Sequence, residues 1–219
     1  IDRMLTMARE NIDRSFLAIH SNSATLQEEI ETGEDYIDYL NKEISFFISH
    51  MIAAEMSEKE SIAINAYFKI TGNIERIGDH AMNIAGYANL LERKGLRLSD
   101  KAMGEVEQMR ETCLHSLDFL YEDQGLNLDQ LLKKMEEAEQ LMDDMTMEFR
   151  NKQIDRMISG ECSGEACVIY AEMLTDFERL GDHLLNIAQT VSSAKLDEMK
   201  RPDNLCIPTT NKELVEGAK

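Results

Sequence analysis

Glu75–Ala85 reads ERIGDHAMNIA, and Glu178–Ala188 reads ERLGDHLLNIA. The two blocks lie 103 residues apart, and eight of their eleven positions are identical. The other three exchange one apolar residue for another. Such agreement within one chain marks an internal duplication, which governs every local reading around it. Each block also carries Glu, Asp and Asn at helical spacing, so it points to a site as well as a fold.

A heptad rhythm of apolar residues runs through both blocks. Ile70, Ile74, Ile77, Ala81, Ile84, Ala88 and Leu91 alternate steps of four and three, and Met173, Phe177, Leu180, Leu184, Ile187, Val191 and Ala194 repeat the pattern in register. Ile37, Leu40, Ile44, Phe47 and Met51 follow the same rhythm further upstream. This is the signature of helices packed along a seam. The two prolines, Pro202 and Pro208, leave nothing upstream to break a helix. The expected fold is therefore all-α.

Glycines and capping residues predict six helices. The first runs from Asp2 to about Glu31 and stops at Gly33, and the second from Glu34 to Ala54. The third opens after Ser57, whose spacing to Glu60 is that of a capping box, and ends before Gly95. The fourth follows Ser99 and ends near Gly125. The fifth opens at Asn127 with Gln130 and stops near Gly160. The sixth runs from Ser163 to about Met199. Short connections make successive helices antiparallel, giving two tandem antiparallel three-helix bundles. The expected units are residues 1–97 and 98–200, followed by an irregular tail over 201–219.

The chain is strongly acidic, with 42 Asp and Glu against 23 Lys and Arg and a net charge of −19. Such a surface repels nucleic-acid phosphates and anionic lipid, and suits multivalent cations or a basic partner. Simple solubility of a helical bundle accounts for most of these acids. Cys113, Cys162, Cys167 and Cys206 form no CxxC pair or zinc-finger spacing, so free thiols in the cytoplasm are expected. No apolar run is long enough to span a membrane. The chain starts at Ile1 already within an amphipathic pattern, which suggests a piece of a longer protein.

With Ile74 and Ile77 on the seam, Glu75, Asp79 and Asn83 fall on one stripe away from it, at i, i+4 and i+8. Glu178, Asp182 and Asn186 repeat the stripe. Like charges one turn apart repel by a few tenths of a kcal/mol, a cost that a bridging cation removes. Carboxylate oxygens are hard donors suited to magnesium, calcium, manganese and iron. Glu34 with Asp38, and Glu139 with Asp143, offer matching pairs on the second and fifth helices. The bland alternative is chance, since Glu172 and Asp176 share the same spacing, and Arg76 with Asp79 can form a plain surface ion pair. His80 and His183 flank the seam and read as packing or hydrogen-bonding residues rather than ligands.

These duplicated blocks and the six-helix layout resemble the PhoU family of phosphate regulators over about residues 1–196. The resemblance implies two three-helix bundles with surface metal clusters, often iron, with manganese, zinc and magnesium as further possibilities. Carried onto this chain, the ligands are Glu75, Asp79, Glu178 and Asp182, with Glu34, Asp38, Glu139 and Asp143 as partners. It implies a non-enzymatic role that damps phosphate uptake and signalling, through a membrane phosphate transporter or a histidine kinase, and a homodimer is compatible with it. Two departures stand out. The third helix opens with EMSEKES (Glu55 to Ser61), without the Arg usual in free-standing members. That looks more like the cytoplasmic C-terminal domain of a sodium/phosphate cotransporter, tethered to the membrane by a transporter in the same polypeptide; the alternative is a free-standing regulator. Asn73 stands where the second half has Asp176, which implies weaker metal binding or a different number of ions in the first half.

Two other classes compete. A ferritin-like di-iron oxidase needs Glu-x-x-His pairs, but the residues three before each histidine are Leu17, Phe47, Ile77, Thr112 and Leu180. A helical adaptor would use its acids for solubility and partner contact alone. No nucleophile–base pair or glycine-rich phosphate loop is present, so no catalytic residues are assigned.

Overall fold

The computed structural model describes residues 1–21, 23–52, 56–121 and 125–195. They form α1 (Asp2–His20), α2 (Ala24–Ile52), α3 (Glu58–Lys94), α4 (Asp100–Asp118), α5 (Leu128–Ile158) and α6 (Gly164–Ala194). No strand occurs among the described residues. The sixth helix closes at Ala194, short of the expected Met199, with Lys195 in the left-handed region at φ 47°; the expected end at Ala54, the tail over 201–219 and Cys206 lie outside the described residues.

The capping residues act as their spacing predicts. Ser57 Oγ accepts from the Glu60 N–H at 3.3 Å, and Glu60 Oε2 accepts from the Ser57 N–H at 2.8 Å. Asn127 and Gln130 make the same reciprocal pair at the start of α5. Ser99 and Ser163 cap α4 and α6 with their hydroxyls. Gly95 closes α3 in the left-handed region at φ 62°, a conformation that costs glycine little.

Three expectations fail for identifiable reasons. The first helix ends at His20, not Glu31, and Gly33 lies inside α2. Ser23 opens α2, accepting the Leu26 N–H at 3.1 Å on its side chain. Gly33 is no stop signal: a methyl there would lie 2.3 Å from Asn11 Oδ1, so the glycine lets α1 and α2 touch. The fourth helix ends at Asp118, short of Gly125. There the N–H groups of Phe119, Leu120 and Tyr121 bond three residues back, tightening the chain as these side chains turn onto the core. On α2, Phe47 is 58 % exposed and Ile48 is buried in its place. A helix of 3.6 residues per turn drifts off a strict heptad, so eleven residues from Ile37 return to the core face.

The α3 seam from Ile70 to Leu91 is buried throughout, and so is the α6 seam from Met173 to Ile187. α1, α2 and α3 pack together, as do α4, α5 and α6, and α3 lies along α6. The cross-pairs Asn73–His183, His80–Asp176 and Lys94–Glu165 run in opposite order, so α3 and α6 are antiparallel. The halves share one apolar core. Phe16 of α1 stacks on Phe177 of α6 with ring centroids 4.8 Å apart.

Two of the thiols depart from expectation. Cys162 and Cys167 are joined as a disulfide across the α5–α6 turn. A five-residue separation signals no standard motif, so the spacing is silent about it. Cys113 is free and fully buried, and burial pushes its thiol up.

Candidate metal centre

The repeated glycines set the level at which the carboxylate pairs meet. A methyl on Gly78 would lie 3.5 Å from Ile37 Cδ1 and 3.9 Å from Glu34 Cγ. A methyl on Gly181 would lie 3.3 Å from Met142 Sδ. Thus α3 meets α2 beside Glu34, and α6 meets α5 beside Asp143. Each glycine sits between the Glu and the Asp of its block in sequence, so those two side chains flank a point of contact with the neighbouring helix.

The electrostatics follow. Burial, then the charges of Asp79, Asp38, Asp35 and Glu75, raise the Glu34 carboxyl above the usual range. Glu75 is raised by burial and by Asp79, with Asp38 adding to it and Arg76 and Lys42 opposing. In the second half, burial, Asp143 and Asp182 raise Glu139, while burial, Glu178 and Asp182 raise Asp143. All four expected acids of each half therefore bear on a shared patch. Asp35, Glu136 and Asp144 add to the same fields, which pair spacing did not reveal.

Basic side chains offset part of this charge. Lys42 pairs with Asp38 one turn away. Arg150 reaches Glu178 at 3.3 Å, and Arg179 reaches Asp182 at 3.1 Å. The matching Arg76 makes no ion pair with Asp79 among the described residues. Nor, among those residues, do any three His, Cys, Asp or Glu side chains stand grouped to hold a metal ion. The donors are chemically right for a hard cation and the charge favours one, but the side chains do not form a closed ligand set as they stand.

The histidines serve the seam. His80 Nδ1–H donates to Asp176 Oδ1 at 2.6 Å, and Asn83 and Tyr87 donate to the same carboxylate at 3.1 and 2.7 Å. Burial pushes Asp176 up, but the three hydrogen bonds and the His80 charge outweigh it and hold the carboxyl below its ordinary value. His183 bonds instead to the neutral Asn73 at 3.0 Å and lies against His80, centroids 5.4 Å apart. Burial, then the charge of His80, pushes His183 down to about 4. Asn73 and Asp176 thus partner histidines in the seam rather than joining the carboxylate stripes. The exchange of Asn for Asp at matched positions was the one sequence signal of this network; Tyr87 gave none.

The PhoU domain, as a family, matches this chain over residues 1–88 and again over 102–191. The chain belongs to the PhoU family. It is 25% identical over 197 residues to the phosphate-specific transport system accessory protein PhoU homolog 1 of Thermotoga maritima, covering 87% of this chain and 82% of that one. It is 22% identical to the PhoU homolog of Xylella fastidiosa, covering 98% and 90%. The crystal structure of PhoU from Pseudomonas aeruginosa superposes with a TM-score of 0.80 at 19% identity, covering 89% of this chain and 93% of that one. PhoU from Streptococcus pneumoniae gives 0.75 at 18%, covering 90% and 92%. These structures share the all-α PhoU fold. The matched PhoU relatives are named as transport-system accessory proteins, not as cotransporters. The cotransporter expectation, with its transporter in the same polypeptide, finds no support among these relatives.

Proposed function

We propose that this PhoU-family chain is a free-standing accessory regulator of phosphate transport, acting through multivalent cations held on its two carboxylate patches. The observation that carries the metal part is the duplicated crowding of Glu34, Asp38, Glu75 and Asp79, and of Glu139, Asp143, Glu178 and Asp182, across closely packed helix pairs. Such crowding is costly without a cation and is relieved by one. A bound cation of iron or manganese type would supply positive charge, and with it a means for an anion such as phosphate to approach an acidic surface.

The regulatory part rests on the family and on its relatives being named as accessory proteins of phosphate transport. The partner is a membrane phosphate transporter in a separate polypeptide, with a histidine kinase as a second candidate, and the site of action is the cytoplasmic face of the membrane. The role is regulatory, without catalysis. No helix among the described residues is long and apolar enough to cross a membrane.

Elemental analysis of metal-loaded, dialysed protein beside the Asp79→Asn, Asp182→Asn double variant tests the metal reading. Stoichiometric metal in the parent, lost in the variant, supports it. Equal and negligible metal in both leaves a metal-free helical adaptor. That second reading is favoured by one observation: Lys42, Arg150 and Arg179 already neutralise part of each patch. Phosphate uptake in cells carrying the parent or the variant then separates regulation from metal binding.

A further inference from the structure

The Cys162–Cys167 pair has no counterpart in the duplication. At the 103-residue offset, Lys59 and Ile64 occupy the matching positions in the first half. The pair therefore belongs to the second half alone, and its surroundings are unusual there. Cys162 lies in the turn between Gly160, which closes α5 at φ 76°, and Ser163, which caps α6. Cys167 sits in the first turns of α6 and is 7 % exposed, whereas Cys162 is partly open to solvent.

A buried polar chain starts at the Cys162 sulfur. Gln153 Nε2–H donates to Cys162 Sγ at 3.5 Å, and Gln153 Oε1 accepts from Arg156 Nε at 2.7 Å. Arg156 grips Glu105 of α4 with two hydrogen bonds, at 2.9 and 2.7 Å, and Tyr170 of α6 donates to the same carboxylate at 2.6 Å. Gln153, Arg156 and Glu105 are each 5 % exposed, so every partner lost is paid for in full desolvation. The chain runs through α4, α5 and α6 and ends on the half-open sulfur.

We propose that Cys162 and Cys167 form a reversible thiol–disulfide site, exchanged by dithiol reductants and small-molecule disulfides, whose state sets how firmly the Glu105–Arg156 cluster holds α4, α5 and α6 together. In the reducing direction a thiolate of the dithiol attacks the accessible Cys162 sulfur. The S–S bond breaks, and Cys167 leaves as a thiolate and takes up a proton. The second thiolate of the reductant then attacks its own sulfur in the mixed disulfide, releasing Cys162 as a thiolate that is protonated in turn. The protein gains two electrons and two protons, and the reductant leaves as a disulfide. Oxidation reverses the order: the Cys162 thiolate attacks a small disulfide, and Cys167 resolves the mixed species. Reduction frees Cys162 to turn away from Gln153 and unclamps the turn.

The test equilibrates the full chain, still folded, across ratios of reduced to oxidised glutathione or dithiothreitol. Acid quenching, denaturation and alkylation then count free thiols by mass, and a peptide map of the oxidised parent identifies the pair without any variant. The expected result is one step from two free thiols to the full four, absent in Cys162→Ser and retained in Cys113→Ala and Cys206→Ser. Hydrogen exchange over residues 153–170 should be roughly tenfold faster in the reduced protein, reporting the local opening. Four free thiols at every ratio, reduction only after unfolding in urea, a map joining Cys162 to another cysteine, or equal exchange in both states would each overturn the proposal.

Discussion

At the scale of single residues the decisive group is Asp176. It is 6 % exposed and accepts three hydrogen bonds from α3. Hydrogen bonds to a charged group contribute about 1.5–3 kcal/mol each and are not additive. Asp176→Asn should therefore lower stability by about 2 kcal/mol in urea denaturation. His183 makes a pH prediction. Its folded pKa of about 4 lies below the ordinary 6.5, so the unfolded chain takes up a proton that the folded one refuses. Its contribution to stability is complete above pH 6.5 and declines as pH falls toward 4. His183→Gln should flatten the denaturation midpoint over that window. The raised carboxylates have the opposite sign: burial first, then mutual repulsion, disfavours their charge at neutral pH, and the cost is relieved as acid protonates them. Glu34→Gln with Glu139→Gln should accordingly raise the midpoint at pH 7 and shrink the gain on acidification. A lower midpoint at pH 7 would show that the fold does not penalise the charge on Glu34 and Glu139.

At the scale of elements, Gly33 shows what local pattern reading misses. Glycine after a run of polar residues looks like a helix stop, but whether a glycine stops a helix or admits a neighbour depends on a helix elsewhere in the chain. Asn11, fully buried, donates to Ile30 O at 3.0 Å, next to where a Gly33 methyl would go. Gly33→Ala should cost about 1–2 kcal/mol by displacing that amide. In an Asn11→Ala background it should become neutral or stabilising, since Ala exceeds Gly by about 1 kcal/mol in a helix. A double-mutant cycle in urea measures the coupling, and additivity would mean the two residues do not meet. Other ends were legible because their chemistry is local. Ser57–Glu60, Asn127–Gln130 and Gly95 act within one turn, so their spacing suffices. The stripes were legible as pairs because i, i+4 is also local. Their convergence across α2–α3 and α5–α6, the Asp176 network and the cysteine pairing were not, since each needs two segments whose approach no spacing records.

At the scale of the whole molecule, the shared core makes the two halves one cooperative body. Phe16→Ala removes the stacking partner of Phe177 and should cost about 3–5 kcal/mol. The loss should appear as a single unfolding transition at a lower midpoint, with α1 and α6 losing hydrogen-exchange protection together. Two separate transitions would show that each bundle holds itself up. The inequality of Asn73 and Asp176 reaches further. If two first halves met as the halves meet here, Asn73 would face His80 on both sides, and the seam would hold no anion. If two second halves met, Asp176 would face His183 twice, and two carboxylates would share one dry interface. Only unlike halves bury a single charge among its donors. A chain descended from a duplicated unit therefore carries a built-in means of telling its own complement from a twin.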